Sequence, residues 1–242
     1  MFYITREVSE SLSPLFFLSA AAAGSLPLAK TNQLARSYNH IARFYDALAR
    51  LVFGNRLRAP QLHLLAFIPA GARLLILGGG TGWILEAIAA VHATGLQITY
   101  VDASDKMVAL ARQRPAGGNT VTFVTADAAT APLLADYDIV LTPFLLDNLT
   151  TAQVAQLVAH IHPTLTRDAL WLNCDFCNTR SPGGKLLLRT MYVFFRALCG
   201  ISARSLPDMD ACFANAGFTT AYRAGFSNGF IQAAVYKCAD AV

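Results

Sequence analysis

Five consecutive residues carry the first chemical signal. Gly78-Gly79-Gly80-Thr81-Gly82 follows the apolar run Leu74-Leu75-Ile76-Leu77 and leads into Trp83 and a helical pattern. Glycine there lets the backbone turn tightly and approach a ligand. The N–H groups that open the helix turn positive potential toward an anionic group. Asp102 closes the apolar run that starts at Gln97, 20 positions beyond Gly82. A carboxylate at that place accepts both hydroxyls of a ribose; the plainer reading is a cap or a solvated turn. Asp127 follows a third run, in Thr125-Ala126-Asp127-Ala128. Asp147 and Asp175 follow or end later runs, where an acid orients an acceptor or takes its proton. A solvated strand-end carboxylate is an equal alternative for Asp175, and helix capping near Thr150 is one for Asp147 and Asn148.

These residues need elements to hold them. The periodicity predicts helices over Ser37–Phe53 and Leu57–Phe67. Buried-strand runs follow at Arg73–Leu77, Gln97–Val101, Thr120–Thr125, Tyr137–Leu141 and Ala169–Asp175. Between them lie helices at Gly82–Ala93, Ser104–Arg112 and Thr151–Ile161, the first of these opened by the glycine loop. Such alternation implies a parallel sheet covered on both faces. The end of the chain breaks the rhythm. A helix over Leu206–Ala216 precedes Phe218–Phe226 and Phe230–Lys237, joined through Asn228-Gly229, a hairpin signal. The expected fold is α/β, Rossmann-like and doubly wound. Its seven-stranded sheet is mostly parallel, with a C-terminal antiparallel hairpin and helices on both faces.

Glycine spacing separates the ligands. A dinucleotide loop wants Gly-x-Gly-x-x-Gly, but Trp83 or Leu85 stands where its third glycine should fall. The observed Gly78-x-Gly80-x-Gly82, with the alternation and the terminal hairpin, resembles the class I S-adenosylmethionine-dependent methyltransferases. Tyr38-Asn39-His40 through Phe44-Tyr45-Asp46 resembles the helix that the ubiquinone/menaquinone-biosynthesis group folds over its cofactor. The resemblance covers roughly residues 37–240 and is strong in the cofactor half. It implies S-adenosylmethionine as cofactor, held by Gly78, Gly79, Gly80, Gly82, Asp102, Ala103, Asp127 and Ala128. Thr142, Phe144, Tyr38 and Tyr45 complete that set, with Asp127 on the adenine amino group; the two tyrosines are equally well ordinary core. One departure matters: Ile76 occupies a position where the family often carries an acid. It leaves open weaker binding, another ammonium contact or a lost activity. Asp147 and Asp175 are the candidates for a catalytic acid or base, and no metal site is expected. A non-catalytic protein that binds the cofactor or its demethylated product is the competing class, and a nicotinamide oxidoreductase comes third.

The remaining features bound the partners. The chain has 242 residues, 55% hydrophobic and 14% charged, with net charge +4. Bases are scattered, so phosphate tracking along nucleic acid gets no support. Ser181–Ser205 is an insertion whose Lys185, Arg189 and Arg196 share a stripe amid apolar residues. It suits a lid over a small lipophilic acceptor or a peripheral membrane contact, against a buried helix or a dimer interface. Residues 1–30 form an expected extension or mis-assigned start, and 31–242 one methyltransferase domain. Pro14–Gly24 is apolar, but Glu7 and Glu10 beside Arg6 argue against an export signal. A cytoplasmic or membrane-peripheral location is expected. Five cysteines, all in the last third, read as buried reduced thiols.

Overall fold

In the computed structural model the described residues are 54–178 and 205–238. The expected helix over Ser37–Phe53, Tyr38, Tyr45, the N-terminal extension and the insertion except Ser205 lie outside them. The described helices are α1 (Arg58–Leu64), α2 (Trp83–Val91), α3 (Asp105–Ala111), α4 (Thr151–Ile161) and α5 (Met209–Asn215). The strands are β1 (Arg73–Leu77), β2 (Thr94–Asp102), β3 (Gly118–Thr125), β4 (Tyr137–Pro143), β5 (Leu165–Phe176), β6 (Phe218–Phe226) and β7 (Ile231–Cys238).

The seven strands form one sheet in the order β3-β2-β1-β4-β5-β7-β6. Strands β1 to β5 pair in parallel, while β7 runs antiparallel to both β5 and β6. The central strands are nearly continuous apolar runs because both faces are covered. Leu74, Ile76, Ile98, Tyr100, Leu141 and Leu172 face one core with Leu64, Ile84 and Ile88 from α1 and α2. Leu75, Leu77, Val140 and Trp171 face the other, with Val154, Leu157 and Ile161 of α4 and Phe213 of α5. Ile76 is wholly buried, so an acid there would sit among hydrocarbon.

Several element ends differ from the sequence reading. Strand β2 starts at Thr94, and β5 at Leu165 rather than Ala169. Backbone ladders extend past the apolar stretches into residues whose side chains are exposed. Helix α5 begins only at Met209, because Asp208 caps it by accepting from the Ala211 N–H at 3.1 Å. The hairpin loop is longer than an Asn-Gly turn. Phe226 pairs with Ile231, and Ser227, Asn228 and Gly229 all have positive φ. Helix α4 is capped by Thr150, whose hydroxyl accepts from the Gln153 N–H while Gln153 reaches back to the Thr150 N–H. Asp147 and Asn148 therefore do not cap it.

Candidate cofactor and acceptor site

The sheet order reverses between β1 and β4. In open α/β sheets a crevice opens beyond the strand ends at such a reversal. Its walls are the loop after β1 and the segment after β4. They meet closely: a side chain on Gly78 would press on Leu145, its Cβ 2.9 Å from Leu145 Cδ1.

The glycine loop is held from three sides. The Gly80 N–H donates to Asp102 Oδ2 at 2.9 Å, and the Ser104 N–H donates to Asp102 Oδ1 at 2.9 Å. Tyr100 Oη donates to the Gly80 carbonyl at 2.9 Å. Arg114 Nε donates to the Thr81 carbonyl at 3.1 Å and its guanidinium pairs with Glu86. Gly79 lies against the Tyr100 ring, so a Cβ there would overlap it. A Cβ on Gly82 would come within 2.6 Å of Ala111 Cα, which is how α2 and α3 approach so closely. Gly80 differs. Its φ is +63° and among the described residues nothing lies within 4 Å of its Cβ position, so the described residues leave open space above the loop.

Asp102 closes β2 beside that space. Burial pushes its carboxyl up to about 6, against the pull of the Ser104 and Gly80 amides. A carboxylate has about four acceptor positions, and two are used here. A loop open above Gly80 beside a half-buried strand-end carboxylate with acceptor capacity to spare fits a nucleoside with two adjacent hydroxyls. Ala103 is partly buried next to it. Asp127 begins the loop after β3, where its Oδ1 accepts from the Ala129 N–H at 2.9 Å. That local turn leaves the other oxygen to an outside donor.

Thr142 does not line the crevice. It is 0% exposed. Its hydroxyl donates to Asn173 Oδ1 at 2.8 Å and accepts from Trp171 Nε1 at 3.0 Å. Alternation along β4 turns it into the core under α4 and α5, away from any ligand. Phe144 does stand at the strand ends, with φ +54°. A non-glycine residue in that region is strained and is worth a functional question. Its N–H donates to the Cys174 carbonyl at 2.7 Å. Its ring meets Phe176 at 5.1 Å, and Phe176 meets Phe230 at 5.1 Å. This aromatic row forms an apolar wall at the ends of β4 and β5.

Asp147 and Asp175 are brought together. Asp147 is 8% exposed and Asp175 1%. The Asn148 amide donates to Asp147 Oδ1 at 2.8 Å and to the Phe144 carbonyl at 3.0 Å. Burial pushes Asp147 up to about 6, and the neighbouring Asp175 carboxyl pulls the other way. Asp175 is raised well above the ordinary carboxyl range, by burial first and then by the Asp147 charge. Two carboxyl groups so placed disfavour each other's ionisation. Neither Asp175 oxygen completes a hydrogen bond, although Asp147 and Asn173 stand beside it. Cys177 is not a nucleophile, because burial and the Asp175 charge push its thiol up to about 12. The described cysteines Cys174, Cys177, Cys212 and Cys238 are all free thiols.

A separate cavity of about 430 Å³ lies at the opposite end of the sheet, lined by Phe67, Pro69, Asp138, Ile139, Thr166 and Leu170 among others. It is remote from the glycine loop. Tyr100 and Arg114 escaped the sequence reading. Tyr100 was discoverable, since it shares the Asp102 face of β2 two residues earlier. Arg114 was not, because it reaches Thr81 from 33 positions away.

Residues 74–168 match a family model described as a methyltransferase domain. The chain is 33% identical over 123 residues to a demethylmenaquinone methyltransferase of Clavibacter sepedonicus, covering 50% of this chain and 49% of that protein. Over these stretches the chain is similar to methyltransferases. It spans about half the length of the curated relative it matches. Two solved methyltransferases share the fold. Magnesium protoporphyrin IX methyltransferase of Synechocystis, with bound S-adenosylhomocysteine, has TM-score 0.60 and 19% identity. That likeness covers 86% of this chain and 99% of the other. A 1,6-didemethyltoxoflavin-N1-methyltransferase of Burkholderia thailandensis has TM-score 0.63 and 17% identity, covering 90% and 94%. The seven-stranded, mostly parallel sheet and its antiparallel end are as the sequence reading expected.

Proposed function

We propose that the chain is an S-adenosylmethionine-dependent methyltransferase acting on a small-molecule acceptor. The observation that carries the reading is the tie between Gly80 and Asp102 at the β1/β4 crevice. Gly78, Gly79, Gly80, Gly82, Asp102 and Ala103 cradle the cofactor's amino-acid and ribose portions. Asp127 and Ala128 border its adenine, and Phe144 packs beside it. Tyr38 and Tyr45 belong to this proposal from the sequence alone. The cofactor, when bound, supplies an activated methyl group on a sulfonium. The chain's own contribution is to hold donor and acceptor in line and to exclude water. Asp147 and Asp175 lie at the ends of β4 and β5, where they would receive the proton of an acceptor O–H or N–H.

The aromatic row of Phe144, Phe176 and Phe230 supports a lipophilic acceptor. The curated relative's name, which specifies demethylmenaquinone, points the same way. Among the described residues no helix is long and apolar enough to cross a membrane. A peripheral contact through residues 181–205 remains part of the proposal, as does a single methyltransferase domain over 31–242.

Calorimetry with S-adenosylhomocysteine and NADH tests the cofactor, and radiolabelled methyl transfer to an acceptor panel tests the activity. Binding of the adenosyl compound without competition by NADH is expected. NADH binding without it would overturn the reading. Cofactor binding with no turnover across the panel would favour a non-catalytic binder, the reading that Ile76 keeps open.

A further inference from the structure

Asp102 and Tyr100 both hold one residue of the glycine loop, Gly80. The far limb, where the loop becomes α2, is held differently. Gly82 caps α2 and has no side chain with which to do so. Arg114 reaches this limb from the turn between α3 and β3. Its Nε donates to the Thr81 carbonyl at 3.1 Å, and its Nη1 donates to Glu86 of α2 at 2.8 Å. A cation beside a helix N-terminus opposes the helix dipole. Glu86, in the first turn of α2, offsets it. Helix stability therefore does not account for an arginine here. The carbonyl and N–H of one trans peptide point opposite ways. In the Thr81–Gly82 peptide the carbonyl turns to Arg114, and the Gly82 N–H turns back to the Gly79 carbonyl at 3.3 Å. Gly82 has φ +80°, and glycine lets such a plane reverse at small cost. Reversed, the Thr81 oxygen would face the Gly79 oxygen and put negative partial charge inside the loop.

We propose that Arg114 is a positioning residue for the cofactor's amino-acid end: by holding the Thr81 carbonyl it keeps the N–H groups that open α2, rather than a carbonyl, turned to the ligand's carboxylate. This rests on the methyltransferase reading and deepens it. The start of a helix suits an anion, and the carboxylate of the amino-acid end is the anionic group that an adenosyl cofactor offers. The ribose has its own acceptor in Asp102, which is tied to Gly80 rather than to Thr81. Arg114 acts through a peptide plane, so its influence is confined to the limb it holds. An adenosyl ligand without an amino-acid end should be indifferent to it.

The probes are S-adenosylhomocysteine and 5′-methylthioadenosine, which share the nucleoside and the thioether and differ in the amino-acid end. Calorimetry on the full chain reads both. Arg114→Met removes the guanidinium and keeps most of the side chain's bulk. It should weaken S-adenosylhomocysteine about fivefold or more, while 5′-methylthioadenosine stays within about twofold. Glu86→Gln keeps the Thr81 bond and removes a half-exposed ion pair, so both ligands should stay within about twofold. Should Arg114→Met fail to fold, Arg114→Lys takes its place. It retains a cation for Glu86, but one ammonium does not replace the guanidinium fork, and the same selective loss is expected. An equal loss of both ligands, or no loss of S-adenosylhomocysteine in the folded variant, overturns the proposal. So does a loss in Glu86→Gln that matches that of Arg114→Met, or a wild type that binds S-adenosylhomocysteine but not 5′-methylthioadenosine. Failure of S-adenosylhomocysteine itself to bind the wild type would instead overturn the methyltransferase reading, so the two failures are distinct.

Discussion

The Gly80 N–H donates to Asp102 Oδ2 at 2.9 Å, which fastens the loop after β1 to the end of β2. One carboxylate thereby shapes the cradle and stands ready for a ligand. The loop cannot drift without breaking that bond and the one from Tyr100 Oη to the Gly80 carbonyl. Preorganisation of this kind removes an ordering cost from cofactor binding.

Asp102→Ala should weaken S-adenosylhomocysteine binding by roughly 30-fold or more. Charge-assisted bonds to two hydroxyls, together with donors left unpaired, correspond to about 2–4 kcal/mol. The Gly80 N–H also loses its acceptor, so the loop should become more mobile. Calorimetry measures the first effect and amide hydrogen exchange at 78–82 the second. Unchanged affinity in a folded variant would refute the assignment.

Two neighbouring glycines should fail in different ways. At Gly79 an added methyl would overlap the buried Tyr100 ring, so Gly79→Ala should lower the melting temperature strongly. At Gly80 the methyl meets none of the described residues. Its cost there is the left-handed backbone, roughly 1–2 kcal/mol. Gly80→Ala should therefore fold, yet lose cofactor affinity about tenfold or more because the methyl occupies the open cradle. Parallel melting and calorimetry separate these outcomes.

How much of this was legible beforehand depends on the distance over which residues act. The strand–glycine–helix run and Asp102 are local patterns, and the structure places them together as their spacing implied. The strand count and the antiparallel end followed from apolar runs and from Asn228-Gly229 in the same way. Thr142 was misread because the end of a strand does not reveal which face its last side chains take. A register shift near Tyr137 in β4 further obscures that parity. The pairing of Asp147 with Asp175 was invisible, since the two lie 28 positions apart and no periodicity links them. Each was expected as an acid at an edge; neither was expected to be buried against the other.

Thr142→Val tests the corrected role. The change is nearly isosteric but deprives Trp171 Nε1 of its acceptor and Asn173 of a donor. Leaving buried polar groups unpaired costs about 1–3 kcal/mol. The melting temperature should fall by about 2–10 °C for a chain of this size, while S-adenosylhomocysteine affinity stays constant. A loss of affinity without a loss of stability would return Thr142 to the cofactor site.

The carboxyl groups also make stability depend on pH in an unusual direction. Asp102 and Asp147 each titrate at about 6 in the folded chain, against an ordinary 3.8, and Asp175 is raised as well. Between those values the unfolded chain has released protons that the folded chain retains. The folded state binds more protons, so unfolding becomes easier as pH rises through the window. For these groups the contribution is fully present below the ordinary carboxyl range and is lost as pH rises, past about 6 for Asp102 and Asp147. The ligand-free protein should accordingly melt higher near pH 5 than near pH 7.5, as far as these three groups govern it. Comparison with Asp147→Asn and Asp175→Asn isolates their part, because each substitution should flatten the profile. Cofactor binding should run the opposite way. Ribose hydroxyls prefer an ionised Asp102, so S-adenosylhomocysteine affinity should fall as pH drops through about 6. Melting curves with and without S-adenosylhomocysteine across this range should therefore diverge as pH rises. Curves that stay parallel would mean that Asp102 does not touch the ligand.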